Sequence, residues 1–225
     1  MGIHPHLWGL WQKRNNGSMN STASFCLPDE RALGLFSQTK VTFLGNYSAC
    51  PELERKFARY IAQHYLVEGW PIGRSKKPLL FFREYFKEID ISIEEAQALI
   101  DTTVSRARIF GQVSGFRVSG AKIYSIAGPD DNLICGICKV MLNRRFSVAS
   151  AIEWQNQLLI AGEVSVESVW PLLGHSMTIG EAQKQSASKL QKQGFALPPF
   201  HESCRHCSVV EEFYSPWEQV PWESQ

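Results

Sequence analysis

The chain has 225 residues, a length that suits one domain with extensions or two small domains. Hydrophobic residues make up 44% of it, which is ordinary for a globular protein and enough to build a core. A formal net charge of +1 excludes the broad basic field that collects nucleic acid. No apolar run reaches the roughly 18 residues that cross a bilayer, so we expect no membrane contact.

Residues 1–50 predict an extended N-terminal arm. They are rich in Gly, Asn, Ser and Thr, and their hydrophobic residues follow no sustained period. The apolar patch around Trp8 and Trp11 is too short and too broken for a signal peptide. We therefore expect the chain to mature in a reducing cytoplasm, where paired cysteines are metal ligands more often than disulfides.

Residues 51–91 predict a helical segment. A helix begins at Pro51, a residue that suits the first turn, and Gly69 with Pro71 ends it. A second helix begins at Pro78.

The helix that begins at Ser92 has the clearest signal in the chain. Ser92 and Glu95 have the spacing of a capping box, and apolar residues then recur every three or four positions. This pattern predicts that the helix buries three large side chains: Ile93, Ile100 and Phe110. The glycines between 111 and 120 predict that the helix loosens there, and we expect Arg106 and Arg108 on its solvated face.

Three further stretches predict strands of one small antiparallel sheet. Residues 121–126 alternate and are rich in β-formers, residues 140–146 return after a turn, and residues 208–213 form the last strand. The Cys-x-x-Cys at 135–138 would then be the tip of a hairpin. Between the second and third strands, polar residues predict the starts of three helices: Ser147, Ser165 and Thr178.

The elements together predict an α+β fold in which helices pack on a small antiparallel sheet. We place this domain at residues 92–212 and expect a zinc knuckle within it. Residues 213–225 predict a C-terminal tail that carries Trp217 and Trp222 in a short repeat.

Two Cys-x-x-Cys pairs predict a structural zinc site. Cys135 and Cys138 form one pair, and Cys204 and Cys207 form the other. Two thiolates three positions apart can chelate one metal ion, and two such pairs complete the tetrahedral sulfur cage that Zn²⁺ prefers. His201 is an alternative ligand or a support for the ligands, whereas we expect His206 to point away or to bond a backbone carbonyl.

Other interpretations of the cysteines stay open. One pair could be a redox dithiol, although such motifs usually occur singly. A catalytic zinc could recruit His201 and Glu202, although it usually has three protein ligands and an open position. All four thiols could also be buried without a metal. Cys26 and Cys50 have no paired spacing, which favours small core residues.

Several motifs occur together in a recognisable order. The string Asp101–Arg108 precedes Gly111, the stretch 115–120 and a strand, and Asp130–Asp131 then precedes Cys135–Cys138. Pro198–Pro199–Phe200–His201 comes shortly before Cys204–Arg205. This order resembles the C-terminal domain of the Mu-type phage head morphogenesis, or minor head protein, family. The resemblance covers about residues 92–210.

The chain departs from that family's pattern in three places. Glu202 and Ser203 follow His201 where Pro and Asn are usual, and two residues separate Cys204 from Cys207 where a single Arg is common. The stretch between the two cysteine pairs is also longer than in many members.

The resemblance implies a low-copy structural protein of a tailed phage particle, assembled in the host cytoplasm and located near the portal vertex or neck. Its partners would be portal, capsid or neck proteins, with contacts between copies of the chain also allowed and DNA contact left open. Trp-bearing arms suit such docking, because Trp often dominates interfaces. The alternative is a zinc-ribbon nucleic-acid-binding or regulatory protein that uses four cations: Lys139, Arg144, Arg145 and Arg205. An enzyme is a third interpretation, which no nucleophile–base pair or phosphate loop supports.

Overall fold

A computed structural model describes residues 27–44, 52–58, 61, 91–202 and 204–213. Within these ranges the protein is α+β, as predicted, with helices packed around one three-stranded sheet. The helices are α1 (Leu27–Gln38), α2 (Ile93–Val118), α3 (Gly136–Met141), α4 (Val148–Ile160), α5 (Val166–Val169), α6 (Leu173–Ser176), α7 (Ile179–Lys184) and α8 (Ala187–Lys192). The strands are β1 (Ala121–Ala127), β2 (Arg145–Ser147) and β3 (Cys207–Phe213). Residues 52–58 are also helical.

The sheet has β1 in its centre. Its order is β2-β1-β3, and both pairings are antiparallel. Tyr124 lies opposite Phe146 on one side and Val210 on the other, and its side chain is fully buried. The first and last predicted strands are thus confirmed.

The predicted capping box at the start of α2 is confirmed. Ser92 Oγ accepts a hydrogen bond from Glu95 N at 3.2 Å, and the Glu95 carboxylate accepts one from Ser92 N at 2.9 Å. Ile100 and Phe110 are buried as predicted, whereas the side chain of Ile93 lies outside the described residues.

The predicted loosening of α2 after Phe110 is wrong, because the helix continues to Val118. Gly111 and Gly115 are both buried. Gln155 of α4 reaches this surface and donates to Phe110 O at 2.7 Å and to Ser114 Oγ at 2.8 Å. Packing against α4 therefore outweighs the cost of about 1 kcal/mol that each glycine brings to a helix.

The predicted solvated position of Arg106 is also wrong. Its side chain is 1% exposed, and its Nη2 donates to Trp170 O at 2.7 Å and to Glu167 Oε1 at 2.8 Å. The guanidinium carbon lies 5.9 Å from the centre of the Trp170 ring. Arg106 thus joins α2 to the chain that follows α5.

Residues in the predicted N-terminal arm contribute to the same hydrophobic core. Ala32 and Leu35 of α1 are buried, and α1 packs against α2. Thr42 forms a parallel bridge with Ser165, in which Thr42 N donates to Val164 O at 2.9 Å. Glu54, in the helical stretch 52–58, is buried where its carboxylate accepts from the backbone N–H groups of Phe43 and Leu44.

The Cys-x-x-Cys at 135–138 is not the tip of a hairpin. Residues Gly136–Met141 form α3, and the returning strand is only Arg145–Ser147. The predicted caps of the later helices are present at Ser147, Ser165 and Thr178.

The helix that follows Thr178 is short. It stops at Lys184, and α8 begins after a new cap at Ser186. Gly194, at a φ of 81°, follows α8.

Several predictions concern parts of the chain outside the described residues. They are the helix from Pro78, the environments of Cys26 and Cys50, and the tryptophans of both arms.

Arg106→Ala should destabilise the fold by about 2–3 kcal/mol, because Trp170 O loses its donor and a buried volume empties. Urea unfolding followed by circular dichroism measures this change. Arg117→Ala is the matched control: Arg117 is exposed near the end of the same helix, so its loss should stay within about 0.5 kcal/mol. Equal stabilities for the two variants would contradict a structural role for Arg106.

Candidate metal centre

The register of the sheet brings the two cysteine segments together. Ala127, the last residue of β1, lies opposite Cys207, the first residue of β3. The chain that follows β1 and the chain that precedes β3 therefore leave the sheet at the same end. Cys138 and Cys204, which are 66 positions apart, meet there with their sulfurs 3.7 Å apart.

The first segment holds its cysteines at the start of α3. Cys135 is the N-cap of this helix, and its Sγ accepts a hydrogen bond from Cys138 N at 3.3 Å. Cys138 is buried in the first turn, whereas Cys135 is exposed. Both sulfurs face the second segment, since they group with His201.

The second segment contributes two histidines and one cysteine. His201 Nε2 lies 3.0 Å from Cys138 Sγ, and His201 Nδ1 lies 2.5 Å from Glu202 O. His206 is buried, and neither of its ring nitrogens has a hydrogen-bond partner among the described residues.

These residues form two overlapping groups of donor atoms that could hold a metal ion. One group contains Cys135, Cys138 and His201, and the other contains Cys138, Cys204 and His206. Within each group the donor atoms lie within 4.8 Å of one another. Among the described residues, neither group includes Cys207.

Three of the four predicted cysteine ligands and His201 thus occur in these two groups, which share Cys138. The expectation that His206 points away or bonds a carbonyl is wrong, because its ring belongs to the second group. A signal for this position exists in the sequence. His206 lies two positions after Cys204, and side chains at this spacing share a face wherever the chain is extended.

Electrostatics favour a thiolate at Cys204. Its hydrogen bond with Cys138 lowers the pKa of the Cys204 thiol, and contacts with His201 and His206 lower it further. The same contact raises the pKa of Cys138, helped by burial. The hydrogen bond with Cys204 raises the pKa of His201 to about 9. Since the thiolate is the form that binds metals, Cys204 is already in its ligand form, whereas Cys138 and His201 would each release a proton on binding.

An ion pair connects the two segments at the surface. Arg205 donates to both carboxylate oxygens of Asp131, at 2.8 and 2.7 Å. These hydrogen bonds lower the pKa of Asp131 to about 2. Asp131 belongs to the turn before Cys135, so the pair fixes the loop on one side of the cluster to the loop on the other.

A second contact supports the histidine side of the cluster. Glu202 Oε1 lies 3.0 Å from His175 Nε2, and Gly174 N donates to Phe200 O at 2.9 Å. Phe200 is fully buried. Sequence reasoning missed these roles of His175 and Gly174, because no local pattern connects α6 to residues 200–202.

Comparisons of the chain with protein-family models, curated proteins and solved structures return no match. No described helix combines the length and the apolar character needed to cross a membrane. The geometry of the cluster is therefore the main guide to function.

Gly128→Ala should destabilise the fold by about 1–3 kcal/mol, because the new methyl group overpacks the buried His206 ring. A Cβ at position 128 would lie 2.5 Å from His206 Cδ2. Urea unfolding of the purified protein measures the effect. Gly162→Ala is the control, since a Cβ there meets no atom within 4 Å. If both variants unfold at the same urea concentration, the ring does not fill the space beside Gly128.

Proposed function

We propose that the protein is a structural component of a tailed phage particle and that one Zn²⁺ clamps its fold. The convergence of Cys135, Cys138 and Cys204 with two imidazoles carries the zinc half of this proposal. The resemblance to minor head proteins supports the other half.

The spacing of the donors suits zinc. Two sulfurs bound at about 2.3 Å to one tetrahedral zinc lie about 3.8 Å apart. Cys138 Sγ and Cys204 Sγ are 3.7 Å apart. Thiolates with imidazole are the ligands that zinc takes in structural sites.

A structural role fits the place of the cluster better than catalysis does. A zinc with four protein ligands has no open position for a substrate. The cluster instead joins two segments that are far apart in sequence, which is how a metal adds to the free energy of folding. We therefore propose no enzymatic activity.

The motifs behind the phage resemblance have structural roles. Arg106, which lies in the string Asp101–Arg108, is buried against Trp170, and Asp131 pairs with Arg205. Cys138 and His201 belong to the metal cluster. Such residues would serve a rigid body that docks on neighbouring proteins, and the exposed Phe213 lies where the proposed docking tail begins.

The alternative of nucleic-acid binding loses support, because three of its candidate cations already have partners within the protein. Arg144 donates to the carbonyls of Val140 and Gln185, at 3.0 and 2.8 Å. Arg145 pairs with Glu211 on β3, at 2.7 Å.

Arg205 likewise pairs with a carboxylate, that of Asp131. Since three of the four candidate cations already serve the fold, a phosphate backbone would have to compete for them.

Metal analysis tests the zinc half. Protein purified under reducing conditions should hold one zinc per chain, and chelation should lower its stability by several kcal/mol. Ligand binding to the folded state alone adds about 2.7 kcal/mol at 100 times Kd. As a control, chelator should have no further effect on Cys135→Ser. A fully folded, metal-free wild type would contradict the proposal.

Particle incorporation tests the phage half. Deletion of residues 215–225 should reduce incorporation while the zinc content stays at one per chain. Replacing Trp217 and Trp222 with Ala should reproduce much of the loss, because a few buried aromatics usually dominate an interface. Normal incorporation of the truncated chain would show that the tail does not dock. Absence of the intact chain from particles would reject the phage role.

A further inference from the structure

The fold offers the metal a different fourth ligand from the one that the paired cysteines predict. We propose that three thiolates and the Nε2 atom of His201 bind the ion, a proposal that rests on the zinc site proposed above. The thiolates are those of Cys135, Cys138 and Cys204. Cys207 then remains a free thiol, although it completes the second Cys-x-x-Cys.

Cys207 is held away from the cluster by the sheet. It begins β3 and pairs with Ala127 in the ladder. Its neighbours His206 and Ser208 are buried, whereas Val209 is 44% exposed. Because side chains alternate along a strand, Cys207 points to the side of Val209 and not to the side of Ser208, and among the described residues it belongs to neither donor group. Turning it inward would slip the register by one residue.

The contacts of His201 leave its Nε2 as the nitrogen that can bind a metal once the ring is neutral. A backbone carbonyl only accepts hydrogen bonds, so the contact of His201 Nδ1 with Glu202 O places a proton on Nδ1. In the neutral ring the lone pair is then on Nε2, which faces Cys138 Sγ at 3.0 Å. Metal-binding histidines commonly show this arrangement, in which the far nitrogen donates to a carbonyl.

The proposed ligands lie in two groups that share Cys138, one with Cys135 and His201 and the other with Cys204, so binding one ion would draw these two groups together. A sulfur and an imidazole nitrogen on one tetrahedral zinc lie about 3.6 Å apart. The His201 ring would therefore move outward by about 0.6 Å from its present contact with Cys138. The sulfur pair of Cys138 and Cys204 already has the required separation.

His206 is the competing fourth donor. Its ring lies with Cys138 and Cys204, but no carbonyl or carboxylate in the described part of the chain fixes its tautomer. The ring also packs against Gly128, which limits its approach to a shared ion. His206 therefore lines the site without binding the ion, whereas His201 is the fourth ligand.

The test measures zinc content and affinity in matched variants of the full chain. Cys207→Ser should retain one zinc with wild-type affinity in a competition with a chromophoric chelator. Cys204→Ser and His201→Ala should each bind zinc at least tenfold more weakly. His206→Ala should change the affinity less than His201→Ala does. The two serine variants are matched, because they change the same pair of cysteines by one atom each.

A rescue variant separates ligation from folding. His201→Cys should bind zinc again, since a thiolate at this position completes four sulfur ligands. After exchange with Co²⁺, the sulfur-to-metal charge-transfer band should be stronger in His201→Cys than in the wild type. The band should be unchanged in Cys207→Ser.

Distinct results would overturn the inference and the proposed function. Loss of zinc in Cys207→Ser with retention in His201→Ala would establish the four-thiolate site instead. Loss in His206→Ala with retention in His201→Ala would make His206 the ligand. A charge-transfer band in His201→Cys no stronger than that of the wild type would also reject His201. A wild-type chain that binds no zinc would reject the zinc site itself.

Discussion

The pairing of β1 with β3 is the constraint on which the candidate site depends. It places Ala127 opposite Cys207, so the loops that carry the two cysteine segments begin at one end of the sheet. Closing the loop between Ala127 and Cys207, which are 80 positions apart (207 − 127), costs roughly 4 kcal/mol in its length-dependent part. The ladder meets this cost through backbone hydrogen bonds and through the buried Tyr124. A metal at the cluster would then act on segments that are already adjacent, which favours a geometry set by the fold.

A chain of contacts connects the long helix to the histidine side of the cluster. Arg106 of α2 donates to Trp170 O, and the Trp170 indole N–H donates to Leu197 O at 3.4 Å. Leu197 begins the stretch that leads to the fully buried Phe200 and then to His201. The buried arginine is therefore a positioning element for the second segment, although it touches no donor atom.

Local signals in the sequence predicted local structure well. The capping boxes at Ser92 and Thr178, the strand after Gly120 and the last strand are all present. Each depends on residues within one turn or one strand, which is the range over which such patterns carry information. One sulfur from each Cys-x-x-Cys pair, Cys138 and Cys204, lies 3.7 Å from the other, and the zinc site itself stays a prediction.

The errors concern residues whose environment is set by distant parts of the chain. Arg106 looked solvated because helical periodicity cannot show that Trp170 will offer a carbonyl above it. The glycines at 111 and 115 looked like breaks because Gln155 lies on another helix. Cys207 stays a predicted ligand, and the structure shows that it is the first residue of a strand.

Cys-x-x-Cys is therefore ambiguous until the local conformation is known. At the start of a helix, as at Cys135 and Cys138, both sulfurs can face one point. In extended chain, residues three apart face opposite sides, and only alternate residues can share a target. On the proposed function this distinction matters for charge as well. Three thiolates and a neutral imidazole leave a zinc site with one net negative charge, whereas four thiolates leave two. The smaller charge is easier to accommodate beside the buried Cys138, with Arg205 as a nearby cation.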